Sequence, residues 1–295
     1  MNPFPFRLYL LVLLISSTAC TSTYKLSVKE VHPLTSNLRE VSGLTLDREK
    51  QLWGLNDSGN PATLYQIDQK GNLLDSVSIE GSTNKDWEAL TIDPEGTFYI
   101  IDGGNNGHNR KDLKVYSWDM ARKEVQTIPF SYENQTEFPP VEEKKFFDLE
   151  AAFWDQGSIY LIGKNRFGAA EAGANVYKLS LKGGSSSVSP FTKLDLGKFV
   201  ATDAALSPSG TLAVLTYRLA PLPNVPGLQT RLFLIDNWKG EGSYTITASK
   251  RVPRKGLLRQ YEAVEWINDE EVIIGSEEIR GRGPVLIKVK LRKRK

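Results

Sequence analysis

Cysteine is almost absent from this chain. Cys20 stands alone in 295 residues, so no intrachain disulfide can form and the body of the protein has no catalytic thiol. Histidine is nearly as scarce: His32 and His108 are the two present, too few for a histidine-rich zinc site. No G-x-S-x-G elbow occurs, so the signature of an esterase-type serine triad is missing. Neither charge sign dominates, with 37 Lys and Arg against 35 Asp and Glu. The basic run Leu-Arg-Lys-Arg-Lys at 291–295 reads as a solvated end, which leaves nucleic acid without a binding stripe. Long apolar runs are missing too. The run at 8–15 falls well short of the roughly 20 residues that a membrane-spanning helix needs.

What is present at the start is an export leader. Arg7 supplies the positive charge, 8–15 the apolar segment and Ser16 to Ala19 the small residues before a cleavage point. Ser17-Thr18-Ala19-Cys20 resembles a lipobox, with Ser17 where Leu usually stands. That resemblance implies cleavage before Cys20 and lipidation of its thiol, and two or more acyl chains hold a protein firmly on a membrane. The chain then divides into a leader (1–19), a tether (20–23) and one β domain (24–295), placed in the cell envelope.

The β domain is expected because helical stripes are missing while short β-rich runs recur between turn residues. An acid followed by small and apolar residues returns five times, at Glu40, Glu88, Glu150, Asp203 and Glu262. The interval is of the order of 50 residues, a propeller-like period. The fold class predicted is all-β, a β-propeller of five blades. Six is the alternative, because 129–147 and 219–228 are long enough to disturb the count. Only three runs remain for the last blade (263–266, 271–274 and 285–289). The alternating segment 24–31 is predicted to pair with 285–291 and close the ring, removing exposed edges.

Antiparallel strands put the start of each innermost strand and the end of the second strand on one face. That face collects the repeated acids and the polar loops, whereas the opposite turns, such as Asp93-Pro-Glu-Gly96, are short. A scaffold with its long polar loops on one face carries its function there. The candidate ligand-face residues are Glu40, Asp57, Glu88, Asp102, Arg110, Glu150, Lys164, Arg166, Asp203, Arg218, Glu262 and Glu277. Five converging carboxylates need compensation. A hard cation such as Ca²⁺ among Glu88, Glu150 and Asp203 would give it. So would pairing with Arg110, Lys164, Arg166, Arg218 or Arg280, or hydrogen bonding to neighbouring backbones. His108 reads as a solvated loop residue. Trp53, Trp87, Tyr217 and Tyr261 offer either core packing or flat rings for a ligand.

The strings Leu52-Trp-Gly-Leu-Asn-Asp-Ser-Gly-Asn60, Asp86-Trp-Glu-Ala-Leu90 and Asp102-Gly-Gly-Asn-Asn106 with Arg110 resemble uncharacterised exported bacterial propeller lipoproteins. These are similar to the SdiA-regulated and phytase-esterase-like propeller families. The resemblance implies a propeller and a calcium-dependent phosphoesterase-like site. Asp57, Glu88, Asp102 and Glu150 would be its acids, with Arg110 and Arg166 facing an anionic group. Two functions stay open. One is a monomeric lipid-anchored propeller that binds a small or polymeric ligand on its long-loop face. The other is a metal-assisted hydrolase of phosphate or related esters.

Overall fold

The computed structural model describes residues 24–165, 173–181, 187–236 except 221–226, 238, 244–252 and 259–293. Cys20, the rest of the leader and tether, and Arg166 lie outside these residues. Twenty strands form five four-stranded antiparallel sheets. Blade 1 runs Val41–Leu46, Leu52–Asn56, Thr63–Ile67, Leu73–Ser78. Blade 2 runs Trp87–Ile92, Thr97–Asp102, Lys114–Asp119, Glu124–Pro129. Blade 3 runs Leu149–Asp155, Ser158–Gly163, Ala174–Ser180, Pro190–Leu194. Blade 4 runs Val200–Leu206, Leu212–Ala220, Gly227–Asp236, Thr245–Arg251.

Blade 5 takes three strands from the C-terminal part, Tyr261–Asn268, Glu271–Ser276 and Val285–Lys293. Its outer strand is Tyr24–Pro33. Tyr24 pairs with Lys293 and Pro33 with Val285, so the closing strand is longer than the alternation of 24–31 predicts. The two segments that made six blades conceivable are spent otherwise. Leu212–Ala220 and Gly227–Asp236 form one long hairpin inside blade 4. After Pro129, Ser131–Tyr132 pairs in parallel with Ser187–Val188 and stitches blade 2 to blade 3.

Inner strands are buried on both faces, which is why they read as apolar runs more than as alternation. Five apolar clusters fill the five gaps between blades. Leu55, Leu64, Trp87 and Phe98 join blades 1 and 2, and Ile101, Leu149 and Leu161 join 2 and 3. Phe153, Ile162, Val214 and Trp238 join 3 and 4. Leu215, Leu234, Val264 and Trp266 join 4 and 5, and Leu38, Leu44, Ile273 and Leu286 join 5 and 1. The core is therefore a ring of interfaces, each shared by two blades. Trp53, Trp87 and Tyr261 belong to this core, and Trp53 and Trp87 satisfy their indole N–H groups on Asp47 at 2.8 Å and the Thr83 carbonyl at 3.0 Å.

Candidate functional site

Every innermost strand carries a bulge one residue after its start, or two in blade 4. The pairing register slips between Val41 and Gly43, Trp87 and Ala89, Leu149 and Ala151, Ala201 and Asp203, and Tyr261 and Ala263. The residues left over are Ser42, Glu88, Glu150, Thr202 and Glu262. A bulge re-aims one side chain and is common at sites. Here it fixes a ring of like positions, and three of them are glutamates.

This register corrects the predicted acid ring at two places. Glu40 lies two residues ahead of its bulge, on the exposed rim, where one of its oxygens accepts from Asn60 Nδ2 at 2.6 Å. Asp203 lies one residue after its bulge, where the other blades have Gly43, Ala89, Ala151 and Ala263. That position abuts the next blade: a Cβ added at Gly43 would come within 2.7 Å of the Leu90 nitrogen. Asp203 fills the space by accepting from Val264 N at 2.7 Å and Ala204 N at 2.8 Å. It latches blade 4 to blade 5, so the predicted metal trio of Glu88, Glu150 and Asp203 is not a cluster. The other two bulge residues are latches as well. Ser42 Oγ reaches the Glu88 carbonyl at 3.1 Å and its carboxylate at 3.0 Å. Thr202 Oγ1 donates to the Tyr261 carbonyl at 3.3 Å.

A second ring lies where the chain leaves each second strand. Its members share one backbone contact. Asp57 N donates to the Glu40 carbonyl at 2.9 Å, Lys164 N to Asp148 at 2.7 Å and Glu277 N to Gln260 at 3.0 Å. In blade 2 the donor is Gly104 N, which bonds the Asp86 carbonyl at 3.1 Å. The missing side chain matters there. A Cβ on Gly104 would lie 2.4 Å from the Asp86 carboxyl and from Glu88 Oε1. The space beside those carboxylates is open because the residue is glycine.

Asp57, Asp86 and Glu88 each present an oxygen, all within 4.8 Å of one another. Asn84 brings them together. Its amide donates to the Asn56 and Asp57 carbonyls at 3.0 and 2.9 Å and its oxygen accepts from Trp87 N at 3.0 Å. Asp86 is not among the sequence candidates, although it stands in the Asp86-Trp-Glu88 string two residues before the repeated acid.

Beside this trio, Lys164 Nζ pairs with Glu150 Oε1 at 2.8 Å and lies 5.7 Å from the centre of the Tyr217 ring. Glu262 is 5% exposed, and its Oε1 finds no hydrogen-bond partner among the described residues. The electrostatics follow from burial and crowding. Burial pushes Asp86 up to about 6, with Asp57 adding to it and Ser58 and Arg110 opposing. Burial, then Asp57, Glu40 and Glu150, push Glu277 up to about 7. Burial lifts Glu262 to about 8 although Lys164 pulls the other way. Glu88 and Glu150 are pushed well up, first by burial; Glu150 then repels Glu88, and Lys164 eases both. Burial disfavours the Lys164 ammonium, but Glu150 and Glu262 outweigh it and its pKa is raised. Burial and crowding therefore favour the neutral form of these carboxyls, and Lys164 offsets part of their charge.

The remaining candidates fall outside this mouth. Asp102 is fully buried and paired with Arg110 at 2.8 Å. Arg110 also donates to the Gly104 carbonyl at 2.7 Å and to Asp112 at 3.2 Å. It braces the loop that carries Gly104 and does not face an anionic ligand. Arg218 bonds Gln229 at 2.5 Å and stacks over Phe199. His108 is buried, not solvated, and its Nδ1 accepts from Phe147 N at 3.2 Å. The glycine- and asparagine-rich loop reads as exposed but folds under the junction of blades 2 and 3. There Asn105 donates to the Phe147 carbonyl at 3.0 Å and accepts from Asn109 N and Arg110 N.

Among solved structures, the PQQ-bound aldose sugar dehydrogenase of Streptomyces coelicolor is similar at 9% identity and a TM-score of 0.53, with 92% of this chain and 99% of that one covered. A protein of unknown function from Dyadobacter fermentans gives 8% identity and 0.51 over 90% and 99%. A gluconolactonase of Xanthomonas campestris gives 13% and 0.48 over 89% of each. Likeness at these identities is one of fold. No curated protein matches the sequence. Residues 16–138 match the model of the SdiA-regulated family. That stretch holds blades 1 and 2 with Asp57, Asp86, Glu88 and Gly104, so the resemblance to the SdiA-regulated family falls on the acidic side of the mouth of this five-bladed β-propeller.

Proposed function

We propose that this protein is a ligand-binding propeller of the cell envelope, held on a membrane through Cys20, and that its mouth works with a bound divalent cation. Asp57, Asp86 and Glu88 would hold the ion, and Ca²⁺ suits them, being a hard cation that takes oxygen ligands. The observation that carries this reading is the three converging carboxylates beside the empty side of Gly104. The unpartnered oxygen of Glu262 supports it independently. A cation there would replace protons that burial otherwise forces onto the site. It would also leave open coordination positions toward solvent for an oxygen-rich ligand.

Calcium titration tests this directly. Wild-type protein should bind Ca²⁺ in calorimetry and melt at a higher temperature with it, since an ion that binds only the folded state stabilises by linkage. Asp57→Asn and Glu88→Gln should lose both effects while keeping the fold. No heat and no shift at millimolar Ca²⁺ would remove the cation from the reading. Membrane association that survives Cys20→Ser unchanged would remove the lipid anchor.

A hydrolase is the second reading, favoured by the buried Lys164–Glu150 pair beside the trio. A bound cation would polarise an ester and acidify an attacking water. Equal background rates for wild type, Glu88→Gln and Glu150→Gln on a panel of phosphate and carboxylate esters would end it.

A further inference from the structure

The axis of the ring has a mouth and a far end, and the first and last described residues, Tyr24 and Lys293, lie at the far end. Tyr24 lines a recess of about 600 Å³ together with Ser209, Thr211, Asp269, Glu270 and the strand end at Lys290 to Lys293. Ser209, Asp269 and Glu270 belong to turns between first and second strands, opposite the mouth. The pairing of Tyr24 with Lys293 brings the two ends of the described chain together. In the sequence, the N-terminal segment carries Cys20 and the apolar run 8–15, and Arg294 and Lys295 follow Lys293.

Along this strand pair the cations are treated differently by position. Nearer the middle they are matched: Lys288 faces Glu30 at 3.7 Å, and Lys290 faces Glu270 at 3.1 Å and Glu271 at 3.9 Å. At the far end Lys25 lies directly across from Arg292. Both are exposed, and neither pairs with a carboxylate among the described residues. Like charges directly opposite on a sheet destabilise it, and an external anion removes that cost. Lys293 is exposed beside them, its Nζ 5.4 Å from the centre of the Tyr24 ring.

We propose that Lys25, Arg292 and Lys293 form a seat for an anionic membrane surface, which holds the propeller with its acidic mouth turned away from the lipid. This extends the anchored reading above. An acyl chain and a basic patch are complementary signals for stable membrane attachment. The same surface charge that attracts Lys25, Arg292 and Lys293 repels the carboxylates of the mouth. Each basic residue near an anionic bilayer strengthens binding by about fivefold, and salt screens the effect.

The test uses the full chain with Cys20→Ser, so that acylation plays no part. Binding is measured by co-sedimentation with vesicles of phosphatidylcholine alone or mixed with phosphatidylglycerol. The protein should bind the anionic vesicles at least tenfold more tightly than the neutral ones, and lose that preference in high salt. The combined variant Lys25→Ser, Arg292→Ser and Lys293→Ser should weaken anionic binding by about a hundredfold. A dye on Ser209→Cys should become shielded from an aqueous quencher on anionic vesicles, while one on Ser58→Cys at the mouth stays accessible. Equal binding to both vesicle types overturns the proposal, as does a triple variant that binds like its parent. If that variant keeps its vesicle binding but aggregates, the residues guard the edge strand and the proposal fails. Release of the wild-type protein by Cys20→Ser is a separate result that bears on lipidation alone.

Discussion

At one end of the axis the five innermost strands present Glu88, Glu150 and Glu262 with Ser42 and Thr202. At the other they present Leu46, Ile92, Trp154, Leu206 and Ile267, all half-buried around a recess of about 540 Å³. The backbones of the two ends differ: all five strands are bulged at the mouth, while at the far end a bulge recurs only in blade 5, between Trp266 and Asn268. The polar latches differ too. At the far end Thr91 Oγ1 accepts from Trp154 N at 3.0 Å, and Glu265 reaches Thr45 and Leu46 of blade 1. Those side chains are consumed by the neighbouring blade. At the mouth the carboxylates outnumber their partners. A propeller can satisfy a buried acid with the next blade's backbone, and where it does not, the excess charge is available to a ligand.

That contrast can be broken most severely at Lys164. Lys164→Met should cost about 3–5 kcal/mol at pH 8, because it strands Glu150 and Glu262 as buried charges without a counterion. The sign of the pH effect follows from the raised pKa values. Asp86 at about 6, Glu277 at about 7 and Glu262 at about 8 favour the protonated form in the fold. Stability is therefore full at low pH, where these acids are protonated, and declines from their ordinary values near 4 up to about 8. The variant should recover most of its melting temperature at pH 5. Equal losses at both pH values would separate Lys164 from the carboxylates.

Next in size is the latch. Asp203→Ala leaves Val264 N and Ala204 N without their acceptor and should cost about 2–3 kcal/mol in denaturant titration. Calcium binding should be unchanged, and a variant that loses it would return Asp203 to the mouth. Gly104→Ala should act in the opposite sense. Its Cβ pushes the Asp86 and Glu88 carboxyls apart, so affinity for Ca²⁺ should fall by tenfold or more, about 1.4 kcal/mol, with little change in melting. The smallest effect is expected at the far end. Burial lifts Glu265 to about 7 against the hydrogen bonds of Trp266, Thr45 and Leu46. Glu265→Gln should flatten the pH dependence of the melting temperature slightly between pH 5 and 8, gaining at pH 8 relative to wild type. A difference that does not vary with pH would show that Glu265 is already ionised at pH 5.

The ring and its closing strand were legible because apolar β runs and turn residues mark blades locally, and because 24–31 had no other partner. The acidic mouth was half legible. Glu88, Glu150 and Glu262 share the pattern of an acid followed by Ala and an apolar residue, which the bulge needs. Glu40 and Asp203 were aligned with them by charge. The small residue that follows, Gly43, Ala89, Ala151 or Ala263, would have aligned them by packing and put Ser42 and Thr202 in register. Asp203 defeats either alignment, since a carboxylate stands where the other blades have a small residue. Arg110 and His108 were misread because a loop rich in Gly and Asn looks solvated, and its burial depends on Asp148 and Phe147 some 40 residues later.

By itself the sequence determined the toroidal plan and the concentration of acids on one face, because these depend on periodicity and on short-range chemistry. Only the tertiary structure decided which carboxylates meet, which are spent on the next blade, and that Lys293 shares an end of the ring with Tyr24. Those outcomes depend on register between strands far apart in the chain. A slip of one residue at a bulge moves a side chain from the blade interface to the axis, and no local pattern records which way it goes.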